Sequence, residues 1–497
     1  MKRSIRFFSV FLFLIALCAG SFGQTIVSSV TGTVTDATGA VVANAPVTLK
    51  NAETGQLYTS ATTETGNYTV SQLPTGDYDL TISVTGFKTY SHTKFHLAAG
   101  QTLREDPVLQ VGQSTESVTV SAESSLLQTE SGQTVRNVTL SQLENLPLFQ
   151  VGATNDGVRD LFSASRLQPG IQYQNNGAFS AVVQTVINGT PNNSLQTRLD
   201  GATMNPTSSR LLGATMETQP SADSIQEVAI QTSNFAAEFG TSGGAMVNLV
   251  TKSGTNAYHG TFYDYAVNEV LNAAQPYTGV RNKVRQHDYG FTAGGPVWIP
   301  KLYNGKNKTF FFFSFEQFRQ KVINTTLPAT VPIQAYRNGD FSGLIAVENR
   351  LVSTATGAYR DPLGRTIPSG TIFDPLTDPL GNGTVRDPFP GNKIPVARFD
   401  PVAAKIMALV PLPLGPNAAQ AGANYLAGFD QSRVTPIPSV KLDQNVGTKT
   451  HMAFYYQRTY TSTPRTITGA DDLPDNITGS AISFNGHNTL RYNLDYS

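Results

Sequence analysis

Cysteine is almost absent from the 497-residue sequence, which contains only Cys18. That residue lies in an N-terminal segment with the pattern of a secretory signal peptide, in which three basic residues precede an apolar run over 7–17 and small residues follow it. We expect cleavage near Gly23, so that residues 1–23 are the signal peptide. The mature chain would then have no thiol, which excludes disulfides and cysteine chemistry.

Charge of either sign is also scarce. Only 14% of the residues are charged, and 35 Lys and Arg balance 35 Asp and Glu. Without a basic field we expect no nucleic-acid partner. Long apolar runs are missing too. A membrane-spanning helix needs about 20 apolar residues, and the apolar run at the N-terminus is shorter than that. A membrane role would therefore have to use β-strands.

Turn-rich β-structure is what the sequence has instead, with 43 Gly and 28 Pro. Short alternating strands separated by turn residues fill residues 24–112. The clearest strand places Tyr78, Leu80, Ile82 and Val84 on one apolar face, opposite polar residues. Several such strands in a short stretch predict a small β-sandwich.

Motifs in a fixed order run through this stretch: Gly32, Val34, Asp36, Gly39, Ala45-Pro46-Val47, Leu49, Thr65-Gly66-Asn67-Tyr68, Leu73-Pro74, Gly76, Tyr78 and Gly86-Phe87-Lys88. Together they resemble the carboxypeptidase regulatory-like family. The resemblance implies a transthyretin-like sandwich, grouped with carbohydrate-binding-like folds, that is not itself catalytic.

The sequence has no motif typical of an enzyme active site. His92 and His96 come nearest to a zinc-ligand spacing, but no Glu follows the first of them. We expect both to be solvated strand residues. A GxSxG elbow and a GxxxxGK phosphate loop are missing as well. The sequence therefore predicts no catalytic residue, no metal, no cofactor and no enzyme activity.

Residues 113–254, which we expect to form one domain, carry most of a second ordered set of motifs that runs on to residue 260: Leu167-Gln168-Pro169-Gly170, Ile187-Asn188-Gly189, Leu199-Asp200-Gly201, Ser224-Ile225-Gln226-Glu227-Val228, Ala237-Glu238-Phe239-Gly240, Gly243-Gly244-Ala245, Val250-Thr251-Lys252-Ser253-Gly254-Thr255-Asn256 and His259-Gly260. The series resembles the plug domain of TonB-dependent outer-membrane receptors, in the Oar-like branch. The resemblance implies a mixed α+β plug that blocks the lumen of a barrel and is moved by a TonB-type energy-transducing protein.

A short segment before the plug resembles a TonB box, the extended stretch to which that partner adds a strand. Its residues are Glu116, Ser117, Val118, Thr119, Val120, Ser121 and Ala122. The same Ser/Thr/Val alternation also fits the exit strand of the sandwich or a linker. Both interpretations stay open on the sequence.

Aromatic residues become frequent after the plug, with fifteen in residues 258–318 against seven in residues 24–150. Transmembrane barrels use aromatic, alternating strands to face lipid. In the last strand Leu490, Tyr492, Leu494 and Tyr496 alternate with polar residues, as expected between lipid and a wet lumen. Phe310 to Phe318, taken alone, fits a sandwich core better, because both of its faces begin apolar.

Residues 255–497 thus predict the N-terminal part of an Oar-like antiparallel barrel, and further motifs support that resemblance: Gly294-Gly295-Pro296, Gly305-Lys306-Asn307-Lys308-Thr309, Gly339-Asp340-Phe341-Ser342 and Phe399-Asp400-Pro401-Val402-Ala403-Ala404. We predict six barrel strands, near 257–266, 284–298, 309–319, 439–447, 449–461 and 482–497. Closed barrels begin at about eight strands and plugged transporters use about 22. We therefore expect the chain to be a C-terminally truncated fragment of a longer open reading frame.

A proline-rich stretch at about 320–438 interrupts these strands and predicts a long external loop, since Pro cannot donate to a strand ladder. One helix is expected within it. Asp400 is its N-cap and Pro401 its first residue, with Val402, Ile406 and Leu409 sharing one face.

The chain is therefore expected to be mainly β, combining a sandwich, a mixed plug and the first strands of a transmembrane barrel. The resemblance implies a receptor in the outer membrane of a Gram-negative-type bacterium, with a periplasmic sandwich, which imports a ligand with TonB-derived energy. Its partners would be outer-membrane lipid, a TonB-type protein and a ligand whose chemistry stays open among carbohydrate, peptide and protein. The alternatives are a non-transport envelope or adhesion protein that binds glycan or protein through the sandwich, and a soluble module built only of sandwiches.

Overall fold

The computed structural model describes residues 28–114, 116–120, 130, 132, 134–139, 142, 159, 161, 169–174, 184–190, 195–204, 219–233, 243–274, 284–325, 330–348, 359–415, 417–420, 422–425, 428–430, 432–447, 450–464 and 482–496. These residues form three β-rich parts in sequence order, which we name the sandwich, the plug and the wall. Within the described ranges, no helix is both long and apolar enough to cross a membrane.

The sandwich contains the first ten strands: β1 (Ser28–Thr33), β2 (Thr35–Asp36), β3 (Pro46–Asn51), β4 (Leu57–Ala61), β5 (Asn67–Leu73), β6 (Gly76–Ile82), β7 (Thr89–Leu97), β8 (Thr102–Arg104), β9 (Val108–Leu109) and β10 (Ser117–Val120). One layer has the strand order β5-β1-β8 and the other the order β10-β7-β6-β3-β4. The predicted β-sandwich is confirmed. Its larger sheet continues past residue 112 to include β10, which the expected domain boundary leaves out.

The sandwich core is built by strand alternation, as predicted for β6. Tyr78, Leu80 and Ile82 are fully buried, while the residues between them are partly exposed. Val84 lies beyond the end of the strand and packs, partly buried, against the same core. Burying a side chain of this size contributes about 1.5–3 kcal/mol, so a few such strands supply much of the stability of a small domain.

His92 does not behave as a solvated strand residue. Its side chain is buried, and its Nδ1 lies 3.0 Å from Glu105 Oε1. The Tyr90 hydroxyl donates to the same carboxylate oxygen over 2.8 Å, and burial, with the nearby Glu105, raises the Tyr90 pKa so that the donor stays protonated. His96 is exposed and pairs with Asp77 over 2.9 Å. His92 is thus buried because Glu105 on the neighbouring chain segment satisfies its polar ring.

The plug contains β11 (Thr134–Thr139), β12 (Ile171–Gln174), β13 (Gln184–Ile187), β14 (Leu195–Leu199), β15 (Ala202–Thr203), a short 3-10 helix at Ala222–Ser224, β16 (Ile225–Ser233) and β17 (Ala245–Thr251). Five of these strands form one sheet in the order β11-β16-β17-β14-β15, in which β14 and β17 are parallel. Val228, Ile230, Val247 and Leu249 are buried in its core. The sheet gives the plug a core separate from that of the sandwich.

The wall begins with β18 (His259–Val267), β19 (Val284–Pro296), the short pair β20 (Trp298–Ile299) and β21 (Tyr303–Asn304), and β22 (Thr309–Thr325). After the proline-rich loop it continues with its last strands. The loop contains α1 (Gln334–Arg337), α2 (Ser342–Glu348), β23 (Tyr359–Arg360), β24 (Thr366–Ile367), β25 (Phe373–Asp374), β26 (Asp387–Pro388), 3-10 turns at Pro390–Asn392 and Val396–Arg398, and α3 (Pro401–Leu409).

The last wall strands are β27 (Gly428–Asp430), β28 (Arg433–Val446), β29 (Thr450–Pro464) and β30 (Ile482–Tyr496). Six long strands form one antiparallel sheet in the order β18-β19-β22-β28-β29-β30, and β27 pairs with the end of β22. The six predicted strands are confirmed. Phe310 to Phe318 lies within β22 and not in a sandwich core.

The limits of the proline-rich loop differ from the expected 320–438, because β22 runs to Thr325 and β28 begins at Arg433. Pro436 and Pro438 lie inside β28. Both are in register with β22, whereas the register with β29 passes from Val434 directly to Ser439. Prolines without an N–H are tolerated there because the ladder to β29 is interrupted.

Helix α3 begins as predicted. Asp400 is its N-cap, and its side chain accepts hydrogen bonds from the amides of Val402 and Ala403, both over 2.8 Å. The shared apolar face is exposed rather than buried, since Val402, Ile406 and Leu409 each expose more than half of their surface. The N-cap and the following proline therefore fixed the helix without a buried face to support it.

Candidate functional site

The two faces of the wall differ in polarity, as the last strand shows. Leu490, Tyr492 and Leu494 are exposed, with 71%, 50% and 54% of their surface accessible. Arg491 and Asn493 alternate with them and are partly buried. Arg491 Nη1 donates to the Leu199 carbonyl over 2.8 Å, which places the polar face of β30 against the plug. The predicted alternation between an apolar outer face and a polar inner face is confirmed for these residues.

Other inward side chains of the wall also donate hydrogen bonds to the plug. Lys441 Nζ, on β28, lies 2.9 Å from Thr251 Oγ1 and 3.2 Å from its carbonyl oxygen. Gln457 Nε2, on β29, donates to the Gln219 carbonyl over 2.8 Å. The plug is thus held at several points by polar side chains of the wall that bond its backbone.

A buried ionic cluster forms the centre of this contact. Arg159 of the plug is 1% exposed, and its guanidinium pairs with Asp223 of the plug. It also lies 3.3 Å from Asp288 on β19 and 3.4 Å from Glu316 on β22, and both carboxylates are fully buried. Ser221 Oγ donates to Glu316 Oε2 over 2.5 Å. One cation of the plug therefore faces three carboxylates, two of which belong to the wall.

Two aromatic rings lie against the guanidinium of this arginine, and neighbouring carboxylates raise its pKa. The guanidinium carbon lies 4.8 Å from the ring centre of Tyr263 and 4.6 Å from that of Tyr265, both on β18. Burial alone would lower the Arg159 pKa, but the carboxylates of Glu316 and Asp223 outweigh it and hold the pKa above its usual value. A charge buried this deeply is stable only while its counter-charges remain in place.

The sandwich also contacts this assembly, through Glu227 at the plug strand β16. Glu227 is 2% exposed, and its Oε2 accepts hydrogen bonds from Thr75 Oγ1 over 2.8 Å and from the Ala99 amide over 3.0 Å. The wall is contacted as well, since Gln56 Nε2 lies 3.3 Å from the Gly447 carbonyl in the turn between β28 and β29. The sandwich therefore bridges the plug and the wall.

A cavity of about 430 Å³ lies where the three parts meet. Glu53 and Tyr58 line it from the sandwich, Lys252 from the end of the plug, and Phe310 and Phe312 from the wall. The two phenylalanines are buried on the inner face of β22. This position explains why the sequence of β22 begins apolar on both faces, since its inner face meets the sandwich and plug there instead of water.

The segment predicted as a TonB box lies at the edge of the sandwich. Ser117, Val118, Thr119 and Val120 form β10, which pairs in parallel with β7. Glu116 precedes the strand and pairs with Lys88 over 2.9 Å. Residues 121 and 122 lie outside the described ranges. The geometry is that of an exit strand of the sandwich, and partner binding by residues 116–122 stays a prediction.

Sequence reasoning missed Arg159, Asp288, Glu316 and Glu227. Glu316 offered a signal, because it is a lone carboxylate within the aromatic run of β22, at a position that alternates with Phe310 and Phe312. Arg159 and Glu316 are 157 residues apart, so no local pattern joins them. Among the described residues, no group of three or more His, Cys, Asp or Glu has a geometry that could hold a metal ion.

Comparison with known families identifies two domains in the chain. The outer membrane beta barrel domain matches residues 250–494, and the carboxypeptidase regulatory-like domain matches residues 29–110. The chain thus combines a region similar to an outer membrane beta barrel domain with an N-terminal region similar to a carboxypeptidase regulatory-like domain.

A curated relative narrows the class. Over 301 residues the chain is 26% identical to the TonB-dependent transporter Oar of Myxococcus xanthus, covering 57% of this chain and 26% of the relative. The chain thus spans about a quarter of the length of that relative. The resemblance to TonB-dependent outer-membrane receptors of the Oar type is confirmed. Neither matched domain nor the relative is an enzyme, in agreement with the prediction of no enzyme activity.

Partial matches to solved structures include a transporter and a receptor. The outer membrane transporter YddB from Escherichia coli has a TM-score of 0.35 and 8% identity, covering 67% of this chain and 33% of that one. The siderophore receptor PirA from Acinetobacter baumannii has a TM-score of 0.31 and 14% identity, covering 72% of this chain and 44% of that one.

Proposed function

We propose that the chain acts in an outer-membrane transporter that binds a ligand outside the cell and imports it. The energy comes from a TonB-type protein and reaches the plug through residues 116–122. The observation that carries the proposal is the contact between plug and wall, in which Arg159 of the plug pairs with Asp288 and Glu316 of the wall. A separate folded body is held against the inner face of a membrane sheet.

This contact suits a plug that has to move. Tyr455 of the wall packs in the plug core, but the ion pairs and hydrogen bonds between the two parts involve the polar side chains of Arg159, Lys441, Gln457 and Arg491. A hydrogen bond exchanged for water contributes about 0.5–1.5 kcal/mol net, or about 1.5–3 kcal/mol where a charged group takes part. Water that enters the lumen can therefore replace these bonds, whereas an apolar contact of equal area would resist separation. Force on the plug can then displace it while the wall sheet remains intact.

The remaining segments of the chain have their own proposed roles. We propose that residues 1–23 direct export and that the sandwich of residues 24–112 lies in the periplasm. Residues 113–254 form the connecting segment and plug, and residues 255–497 contribute barrel strands. The proline-rich loop extends outside the cell, where its exposed side chains meet the ligand. Carbohydrate, peptide and protein all remain candidate ligands.

Binding of the energy-transducing partner tests this function directly. The chain in detergent is mixed with the purified periplasmic domain of the TonB-type protein from the source bacterium, and the affinity is measured. In one variant residues 116–122 are replaced by a Gly/Ser linker of equal length, and in a matched control the same replacement is made at residues 376–382 of the exposed loop.

We expect the unaltered chain and the loop control to bind, and the 116–122 variant to lose binding. Equal binding by both variants would contradict the role of the segment. A complete lack of binding by the unaltered chain would favour a non-transport envelope or adhesion protein, which needs no such partner.

A further inference from the structure

The strand β10 is an edge strand of the sandwich. In the order β10-β7-β6-β3-β4 it has β7 on one side, and no other described strand pairs with its second side. Ser117 is in register with Thr89, Val118 with Tyr90, and Thr119 with Ser91. A free edge of this kind offers unpaired backbone groups to another chain.

The backbone groups on the free side can be assigned from one hydrogen bond. The Thr89 amide donates to the Glu116 carbonyl over 2.8 Å, so the peptide groups of Glu116 face β7. Successive residues of a strand direct their N–H and C=O groups to opposite sides. Val118 therefore also faces β7, whereas Ser117 and Thr119 direct their N–H and C=O groups to the free edge.

Contacts at its start hold the strand in this position. Glu116 pairs with Lys88 over 2.9 Å. Thr89 Oγ1 donates to the Ser114 carbonyl over 2.8 Å, and the Gly112 amide donates to the Gly86 carbonyl over 3.1 Å. The sandwich thus contacts the backbone of the segment at residues 112, 114 and 116–120.

We propose that the sandwich presents β10 as a preformed docking edge. An extended strand of the TonB-type protein adds to the free side of β10 while β10 remains paired with β7, which extends the five-stranded sheet by one strand. This inference rests on the proposed function, since it assumes that residues 116–122 bind that partner. It adds that the regulatory-like sandwich is part of the binding surface.

A preformed edge has a physical advantage over a free segment. Ordering one residue of a flexible chain costs about 1–2 kcal/mol, and binding to a disordered segment would bear that cost for each residue. The residues of β10 are already ordered when the sandwich folds, so binding does not have to order them again. Main-chain hydrogen bonds to Ser117 and Thr119 then contribute to affinity directly.

Cross-linking β10 to β7 tests the proposal. Ser91 and Thr119 are register partners on neighbouring strands, which lie about 4.7–4.9 Å apart, within the span of a disulfide. The double variant Ser91→Cys/Thr119→Cys is oxidised to fix β10 on β7. Cys18 is the only native cysteine in the sequence, so the two introduced cysteines are the only thiols once the signal peptide of residues 1–23 is removed.

Binding to the periplasmic TonB-type domain is measured for the oxidised and the reduced form of the same protein. We expect equal affinities, because the partner uses the free edge. Binding by the reduced form with at least about tenfold weaker binding by the oxidised form, a difference of 1.4 kcal/mol, would overturn the proposal and show that β10 must leave the sandwich. Absence of binding in both the reduced form and the unaltered chain would instead refute the proposed function.

A proline on the free edge gives an independent test. Thr119→Pro removes an N–H that points to the partner but none that points to β7. We expect about tenfold weaker partner binding, with the Thr89 amide still protected from hydrogen exchange, whereas the matched variant Thr119→Ala binds normally. Unchanged binding by Thr119→Pro would overturn the free-edge geometry.

Discussion

Arg159 of the plug lies 3.4 Å from Glu316 of the wall, and both side chains are almost completely buried. Asp288 and Asp223 lie beside them, so that one guanidinium faces three acidic side chains in a space from which water is largely excluded. The pairing joins two separately folded parts of the chain. Its loss would leave the buried acidic side chains of the wall without their cation.

Removing this cation should unseat the plug. We expect Arg159→Met to destabilise the contact by about 3–5 kcal/mol, as for other buried ion pairs that lose one partner. Hydrogen exchange of the β16 amides measures the effect. The control Arg285→Met breaks the ion pair between Arg285 and Glu269. Because the Arg285 side chain is 63% exposed, losing this pair should destabilise the protein by only about 0–1 kcal/mol. Equal exchange rates in the two variants would contradict a central role for Arg159.

The sandwich should loosen from the plug when Glu227 is truncated. Glu227→Ala removes the acceptor of the Thr75 hydroxyl and the Ala99 amide. The Thr75 hydroxyl keeps the Leu97 carbonyl as an acceptor, but the buried Ala99 amide loses its partner at a cost of about 1–3 kcal/mol, so we expect faster exchange at that amide. Thr65→Ala, which removes exposed hydrogen bonds with Thr63 and Asn67, serves as the control. An Ala99 amide as well protected in Glu227→Ala as in the control would show that Glu227 does not hold the sandwich.

The polarity of the wall predicts opposite tolerance on its two faces. We expect Leu490→Arg to impair assembly into lipid vesicles, since an outward arginine costs about 2–4 kcal/mol near the middle of a bilayer. Asn493→Arg, three positions further along the same strand, lines the cavity and should assemble almost normally. The assembled fraction is measured by protection from added protease. Equal loss in both variants would mean that β30 does not separate lipid from lumen.

The sequence predicted most of the fold because alternation is local. Alternation predicted a buried strand at Tyr78, Leu80 and Ile82. It also predicted an apolar outer face at Leu490, Tyr492 and Leu494. Phe310 and Phe312 misled the same reasoning, because their inner face is apolar where it lines the cavity. Periodicity shows that a face is apolar but not whether lipid, a core or a neighbouring domain covers it.

The contacts of the candidate site could not be predicted in this way. Arg159 and Glu316 are brought together only when the plug packs inside the wall, and Glu227 meets Thr75 only when the sandwich docks. The parallel pairing of β10 with β7 is equally non-local, so the alternation of residues 117–120 fitted both a partner-binding segment and an exit strand. The structure shows residues 117–120 as an exit strand of the sandwich. We propose that this strand also binds the partner.

The most direct test of the proposed function is to pull on the segment that precedes the plug. The chain is anchored in a lipid bilayer, and a force probe is attached through Glu116→Cys. We expect the plug, residues 134–251, to extend first while the wall strands stay in the membrane. Extraction of wall strands before the plug extends would contradict a plug that moves under force applied at residues 116–122.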